Sequence, residues 1–342
     1  MDNDLKDKKD IYILGIESSC DETACAVVKN GRELLSNVIA TQADFHEKYG
    51  GVVPELASRM HVDAVYPTIK EALDIANLGF EDIDAIAVTY GPGLVGALLV
   101  GLSAAKGICE VTGIPLIGTN HMHGHIAANY LTHKDLEPPF ICLSVSGGHS
   151  EIVLVKDYFD MEILGATRDD AAGEAIDKIA RVIGLGYPGG PKMDRAGQNG
   201  DTTKYQFSKT HLGDSLDFSF SGIKTSALNQ LNKIFMTNEE FSLKDFAASF
   251  QQHIANELVT NTVKAVKMTN VNKVVLAGGV SANSFLRATI DNAAFRKGFE
   301  VSYPDLKLCT DNAAMIASAG YYEYISGTRH ELNLNAVPSL SL

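Results

Sequence analysis

The chain has 342 residues, 45% of them hydrophobic, and its 42 acidic side chains outnumber 29 basic ones to leave a formal charge of −13. That is apolar material for one large or two medium domains, and the acidic balance excludes a nucleic-acid grip exerted through the global field. The five cysteines (Cys20, Cys25, Cys109, Cys142, Cys309) are odd in number and form no C-x-x-C pair, which argues for reduced thiols and a cytoplasmic protein.

Residues 1–10 form a charged tail of mixed sign, unlike a signal peptide. Ile11 to Ile16 reads as a strand ending in Glu17-Ser18-Ser19-Cys20-Asp21-Glu22-Thr23, Ala24 to Val28 as a second, and Leu34 to Ile39 as a third after the Lys29-Asn30-Gly31 turn. Pro54 to Leu78 reads as helix interrupted at Pro67; its apolar face (Leu56, Met60, Val65, Ile69, Leu73) suits either a core or a partner interface. Asp84 to Thr89 is a strand, Gly91-Pro92-Gly93 a turn and Leu94 to Cys109 a helix. The longest apolar window, Gly93 to Ala105, is too short to span a bilayer, so no membrane association is expected.

After the strand Ile114 to Ile117 comes Thr119-Asn120-His121-Met122-His123-Gly124-His125, opening a helix with Asn120 as N-cap. His121 and His125 then share a face, where two imidazoles can hold one divalent metal; His123 points elsewhere. The plain alternative is a polar helix start that happens to carry three histidines. A zinc peptidase is disfavoured, because Met122 stands where such helices place the glutamate base.

The next segments repeat the first plan. Phe140 to Val145, Glu151 to Val155 and Met161 to Ala166 are strands, with Ser146-Gly147-Gly148-His149-Ser150 as the first turn. Lys273 to Ala277 is a strand, Gly278-Gly279 a turn, Ser281 to Arg296 a helix and Glu300 to Tyr303 a strand. Cys309-Thr310-Asp311-Asn312 then opens the helix Ala313 to Ile325. Six matching elements in order indicate a duplicated α/β unit: a first lobe at 11–137, a second at 138–327 with an insertion at about 169–225, and a tail at 328–342. Lobes packed about a pseudo-two-fold would bring Asp311, from the second, onto His121 and His125 of the first; otherwise Asp311 is a plain N-cap. The turns at Ser18-Ser19, Ser146-Gly148 and Gly278-Gly279 let backbone N–H groups approach a phosphate, which points to a nucleotide in the cleft between lobes.

The insertion opens with a helix, Ala172 to Ile183, followed by a loop from Gly186 to Asp194. Asp177 can accept hydrogen bonds from a ribose or an amine, or lie on a solvated helix face. From Lys178 to Lys224 seven Lys/Arg stand against four Asp, and with Tyr205, Phe207, Phe218 and Phe220 this stretch is either an RNA surface or an ordinary lid.

Over nearly its full length the chain resembles the bacterial tRNA adenosine threonylcarbamoyltransferase family, once labelled a glycoprotein endopeptidase. The motifs that carry the likeness are Gly15 to Thr23, His121 to His125, Ser146 to His149, Gly186 to Pro191, Phe218 to Lys224 and Gly278 to Asn283. The resemblance implies a duplicated actin-like (ASKHA) α/β fold. It also implies transfer of threonylcarbamoyl from threonylcarbamoyl-AMP to the N6 amine of the adenosine 3′ of the anticodon, in tRNAs reading codons that begin with A. The family's metal ligands match His121, His125 and Asp311, the ion being iron or zinc. Its substrate-binding positions match Ser144, Val145, Ser146, Gly147, Gly148, Asp177, Gly190, Asp194 and Asn283, with threonylcarbamoyl-AMP or ATP/ADP in the cleft. Many members carry Glu where this chain has His123. The implied partners are tRNA, an inactive paralogue of the same fold joined through the first lobe, and a small P-loop ATPase. The rival within the fold is a small-molecule kinase or ATPase, which needs no histidine pair.

Overall fold

The computed structural model describes residues 10–209, 212–237 and 239–342. Strands β1 (Tyr12–Glu17), β2 (Glu22–Lys29) and β3 (Glu33–Thr41) form an antiparallel meander, followed by helices α1 (Ala43–Glu47) and α2 (Pro54–Ala76). Then come β4 (Ala85–Gly91), α3 (Val95–Thr112), β5 (Leu116–Asn120) and α4 (His121–Thr132). β4 lies parallel to β1 and β5 parallel to β4, giving the order β3-β2-β1-β4-β5.

The second sheet repeats this arrangement. β6 (Phe140–Val145), β7 (Ser150–Val155) and β8 (Met161–Ala166) are the meander. Helices α5 (Ala172–Val182), α6 (Gly189–Gly197), α7 (Ser221–Thr237) and α8 (Leu243–Thr269) precede β9 (Lys273–Ala277), α9 (Ser284–Lys297) and β10 (Glu300–Ser302). The order is β10-β9-β6-β7-β8, with β9 parallel to both β6 and β10. Both sheets thus have one topology, and the duplication expected from the sequence is present. The chain ends with α10 (Leu306–Cys309), α11 (Ala313–Ile325) and an irregular tail.

The two compact units are not the two halves of the repeat. One comprises the residues up to Leu136 together with Pro304–Leu342, the other Glu137–Tyr303. Helix α11, expected in the second lobe, packs instead on the sheet of the first unit. Its small residues permit this: a Cβ on Gly15 of β1 would lie 2.3 Å from the Ala313 carbonyl, and one on Gly320 would lie 2.3 Å from Ala87 Cβ. The tail is stitched to the same unit, with Val337 N–H donating to Tyr90 O and Asn120 Nδ2 to Ser341 O.

In the first unit the β1–β2 alternation divides the core into two layers. Ile13, Ala24, Ala26 and Val28 pack with Ala313, Ile316 and Ala317 of α11, while Leu14, Ile16, Cys25 and Val27 pack with Val65, Ile69 and Leu73 of α2. Helix α2 runs unbroken through Pro67, and the burial of Val65, Ile69 and Leu73 on either side of it anchors both turns against the sheet. Among the described residues α3 is the one helix long and apolar enough to cross a membrane; its Leu98, Leu102 and Ala105 face the core.

Two expectations about the insertion change. The supposed loop is helical from Gly189, where Asp177 accepts from the Gly189 and Gly190 N–H groups. Tyr205, Phe207, Phe218 and Phe220 are core residues, the most accessible of them 8% exposed. Tyr205 and Phe207 stack edge-on against Phe246, and Phe207 also against Phe250. Packed into the core, the four rings offer little face for stacking on bases, although Phe218 and Phe220 also border a cavity. Lys178, Lys204 and Lys224 are paired with Glu174, Asp245 and Asp170, so much of the local basic excess is neutralised within the unit.

Candidate metal centre and glycine turns

The parallel strands β1, β4 and β5 deliver Glu17, Thr89 and Asn120 to one edge of the first sheet, the edge where α/β proteins collect ligands. Asn120 Oδ1 accepts from Met122 N–H at 2.8 Å, so the predicted N-cap starts α4 at His121 and sets His125 one turn further on. Asp311 directly precedes α11, whose N-cap is Asn312, its Oδ1 accepting from Met315 N–H at 3.0 Å. Capping by Asn312 leaves the Asp311 carboxylate to the histidines.

The three side chains meet as the sequence predicted, although all belong to the first unit. Asp311 Oδ1 lies 3.2 Å from His125 Nε2 and 3.6 Å from His121 Nε2, and the donor atoms all fall within 4.8 Å of one another. Ligands bound to one tetrahedral ion at about 2.0–2.2 Å stand roughly 3.3–3.6 Å apart, close to the two separations Asp311 makes with the histidines. His125 is 1% exposed, and neither ring nitrogen makes a hydrogen bond, the contact of Nε2 with Asp311 lacking the angle for one. A buried imidazole left in that state is costly unless a cation takes its lone pair.

The charge around the cluster points the same way. Burial, then the Asp311 and Asp21 carboxylates, push the Glu22 carboxyl up to about 9. Burial works against the His121 imidazolium, but the Glu17 and Asp311 carboxylates overcome it and lift the group to about 9. For Glu17, burial alone would raise the carboxyl; the His121 charge and hydrogen bond, helped by Thr89, outweigh it and hold the group below its ordinary value. The pocket carries more acid than base, which a divalent cation would balance. His123 takes no part in the cluster, and burial lowers it to about 4.

Three residues beside the centre went unassigned at the sequence level. Glu17, fully buried, accepts from Ser19 N–H at 2.5 Å and from the Thr89 hydroxyl at 2.6 Å, and its Oε2 lies 2.9 Å from His121 Nδ1. His61 of α2 bridges Thr23 Oγ1 at 2.7 Å and the Cys20 carbonyl at 2.9 Å, bracing the loop after β1. A carboxylate closing an otherwise apolar strand was the available signal for Glu17. Nothing local marks Thr89 or His61.

In the second unit the strand ends also gather. Ser144 and Val145 are buried at the end of β6, where Ser144 Oγ has no hydrogen-bond partner. The Ser146–His149 turn is closed by Ser146 N–H to His149 O at 2.8 Å and His149 N–H to Ser146 Oγ at 3.1 Å, leaving open space above Gly147 and Gly148. Gly278 has φ +79°, and a Cβ there would stand 2.5 Å from Val145 O; one on Gly173 of α5 would stand 2.4 Å from Ser146 O. The β6 turn, the β9 turn and the start of α5 are therefore in contact, and only glycine permits the approach.

Asp177 Oδ1 holds Gly189 and Gly190, while Gly190 itself borders open space. Asp194 Oδ1 accepts from Ser284 Oγ at 2.5 Å, and Asn283 caps α9 through Leu286 N–H while its Nδ2 donates to Gln251 Oε1 at 2.7 Å. Buried Gln251, also unassigned earlier, donates in turn to Met193 O. The predicted substrate residues thus form two linked groups: Asp177 with Gly190, and Asp194 with Asn283 through α9 and Gln251. A cavity of about 450 Å³ elsewhere in this unit, lined by Lys209, His253 and Lys264 among others, contains none of them.

Paired meanders, each extended by parallel strands with helical crossovers, define an actin-like α/β protein. Two solved structures share that fold. Full-length HypF in its phosphate- and nucleotide-bound form aligns with TM-score 0.61 at 16% identity, over 92% of this chain and 46% of that one. A ROK hexokinase from Thermus thermophilus aligns with TM-score 0.50 at 17% identity, over 93% of this chain and all of that one. Within that class the sequence is more specific: residues 33–318 match the family described as TsaD, tRNA N6-adenosine threonylcarbamoyltransferase. A relative of that description from Clostridium botulinum is 59% identical over 336 residues, covering 98% of this chain and 99% of the relative. One from Clostridioides difficile is 58% identical over 334 residues, covering 97% and 99%. The chain belongs to the tRNA N6-adenosine threonylcarbamoyltransferase family.

Proposed function

We propose that this protein transfers the threonylcarbamoyl group of threonylcarbamoyl-AMP to the N6 amine of the adenosine 3′ of the anticodon, in tRNAs that read codons beginning with A. The observation that carries the mechanism is the convergence of His121, His125 and Asp311 on one point, in a chain that matches its family nearly end to end. The amine nitrogen attacks the carbamoyl carbon, the bond from that carbon to the phosphate oxygen breaks, AMP leaves, and the amine loses a proton. With so good a leaving group, positioning and charge stabilisation carry most of the rate.

His121, His125 and Asp311 are the residues to hold a divalent cation, ferrous iron or zinc. Bound there, it would supply charge neutralisation and polarisation of a coordinated oxygen. In the second unit, the open backbone over Gly147 and Gly148 and beside Gly190 suits a nucleotide phosphate near the starts of α5 and α6. Asp177 ties the start of α6 to α5, and Asp194 ties α6 to the start of α9. Asn283 and Gln251 set the start of α9, next to the Gly278-Gly279 turn.

An acidic enzyme with an RNA substrate is helped by partners. The reading includes the tRNA, a P-loop ATPase and an inactive paralogue that docks on α2. Val65 lies in the core, so the docking surface is assigned to Val62, 62% exposed, and Tyr66, 69% exposed. The free thiols fit a cytoplasmic setting.

The test incubates the protein, with its partners, with labelled threonylcarbamoyl-AMP and unmodified tRNA, with and without a chelator. Label entering tRNA, and its loss on chelation, are expected. ATP consumption with phosphate transfer to a small molecule, and no label in tRNA, would replace this reading with a kinase.

A further inference from the structure

We propose that Glu17 is the positioning residue of the metal centre: its carboxylate holds His121 as the Nδ1–H tautomer, so that the Nε2 lone pair is presented to the cation. This deepens the proposed function and rests on its assignment of a metal to His121, His125 and Asp311.

The geometry leaves Glu17 this role and not that of a ligand. Its Oε2 lies 2.9 Å from His121 Nδ1, on the side of the ring opposite the nitrogen that faces Asp311. The same oxygen accepts from the Thr89 hydroxyl at 2.6 Å, and Oε1 accepts from Ser19 N–H at 2.5 Å. With both oxygens engaged and the residue fully buried at the end of β1, the carboxylate has no freedom to swing toward an ion. A buried carboxylate costs stability unless its partners repay it, and the partner gained here is an imidazole already committed to the cluster. A carboxylate behind a ligating histidine fixes its ring and raises its basicity.

The glutamine isostere separates positioning from packing. With its amide oxygen kept on Ser19 N–H, its NH2 faces His121 Nδ1 and demands an acceptor there, which drives the proton to Nε2 and blocks ligation. In the reverse orientation the NH2 opposes the Ser19 N–H. Ser19 Oγ, 3.2 Å from Nδ1, is the other hydrogen-bond partner this nitrogen has among the described residues, so Ser19→Ala in the same background removes the escape.

The experiment measures zinc and cobalt(II) affinity by chelator competition in the full chain. The proteins compared are the wild type, Asp311→Ala, Glu17→Gln, the Glu17→Gln/Ser19→Ala pair and Thr89→Val, each also unfolded in urea without metal. The wild type is expected to bind one ion and Asp311→Ala to lose it. Glu17→Gln should weaken binding by about 10–100-fold and shift the cobalt absorption bands, with the double variant weaker still. Thr89→Val, which removes a hydrogen bond from the same oxygen but leaves the charge, should keep near-normal affinity. A wild type that binds no ion would overturn the metal assignment and this inference with it. Glu17→Gln matching the wild type in affinity and spectrum, while Asp311→Ala loses the ion, would overturn the inference alone. So would affinity losses in Glu17→Gln and Thr89→Val that merely track their loss of metal-free stability.

Discussion

Asp311 stands between two helices and caps neither, and its worth lies in what it does to His121 and His125. Asp311→Ala is expected to lower metal content and to reduce transfer by at least about 10²–10³-fold, with an unchanged circular dichroism spectrum; full activity at normal metal occupancy would remove the residue from the site. Gly278 is a steric case. At φ +79° with Val145 O 2.5 Å from a built Cβ, alanine should cost about 1–3 kcal/mol in urea unfolding. Glu323 is an electrostatic one, its carboxyl pushed up to about 8 by burial. The folded state therefore favours the neutral acid. Its contribution to stability is whole below the unfolded-state value of about 4.3 and is lost as pH rises through 8. Glu323→Gln should accordingly gain on the wild type between pH 5 and pH 8, by on the order of 1 kcal/mol or more, and the melting difference against pH reads the effect directly.

Among the elements, α11 has the largest consequence. Its face of Ala313, Ala317 and Gly320 lies so close to β1 and β4 that a side chain on either surface displaces the helix. Gly15→Val should destabilise by about 1–3 kcal/mol or more and, by moving Asp311, also weaken the metal; zinc titration alongside thermal melting tests both. The strands, the Asn120 cap and the His121–His125 spacing were legible because period-2 alternation, capping chemistry and the one-turn repeat are local properties. Which sheet α11 covers was not, since matching repeats identifies equivalent helices but says nothing about the surface each one buries. Continuity through Pro67 depends on Val65 and Ile69 packing on the sheet, and the start of α6 on a carboxylate, Asp177, twelve residues upstream of Gly189. The aromatic run misled for a similar reason: Tyr205 and Phe207 sit near lysines in sequence, but Phe246 and Phe250, some forty residues on, complete their environment.

For the molecule as a whole, a formal charge of −13 is the reason the proposed reading includes partners. Val62→Asp with Tyr66→Asp should abolish co-elution with the proposed paralogue partner in size exclusion and leave the melting temperature of the isolated protein unchanged; intact co-elution would move the proposed contact off α2. The return of α11 also orders events during synthesis. Both imidazoles emerge from the ribosome long before the carboxylate that joins them, and an entire second sheet is translated in between. A product that stops short of residue 304 therefore has an uncovered first sheet and lacks the carboxylate of the His121, His125 and Asp311 cluster. The cluster is thus complete only once both sheets have been translated.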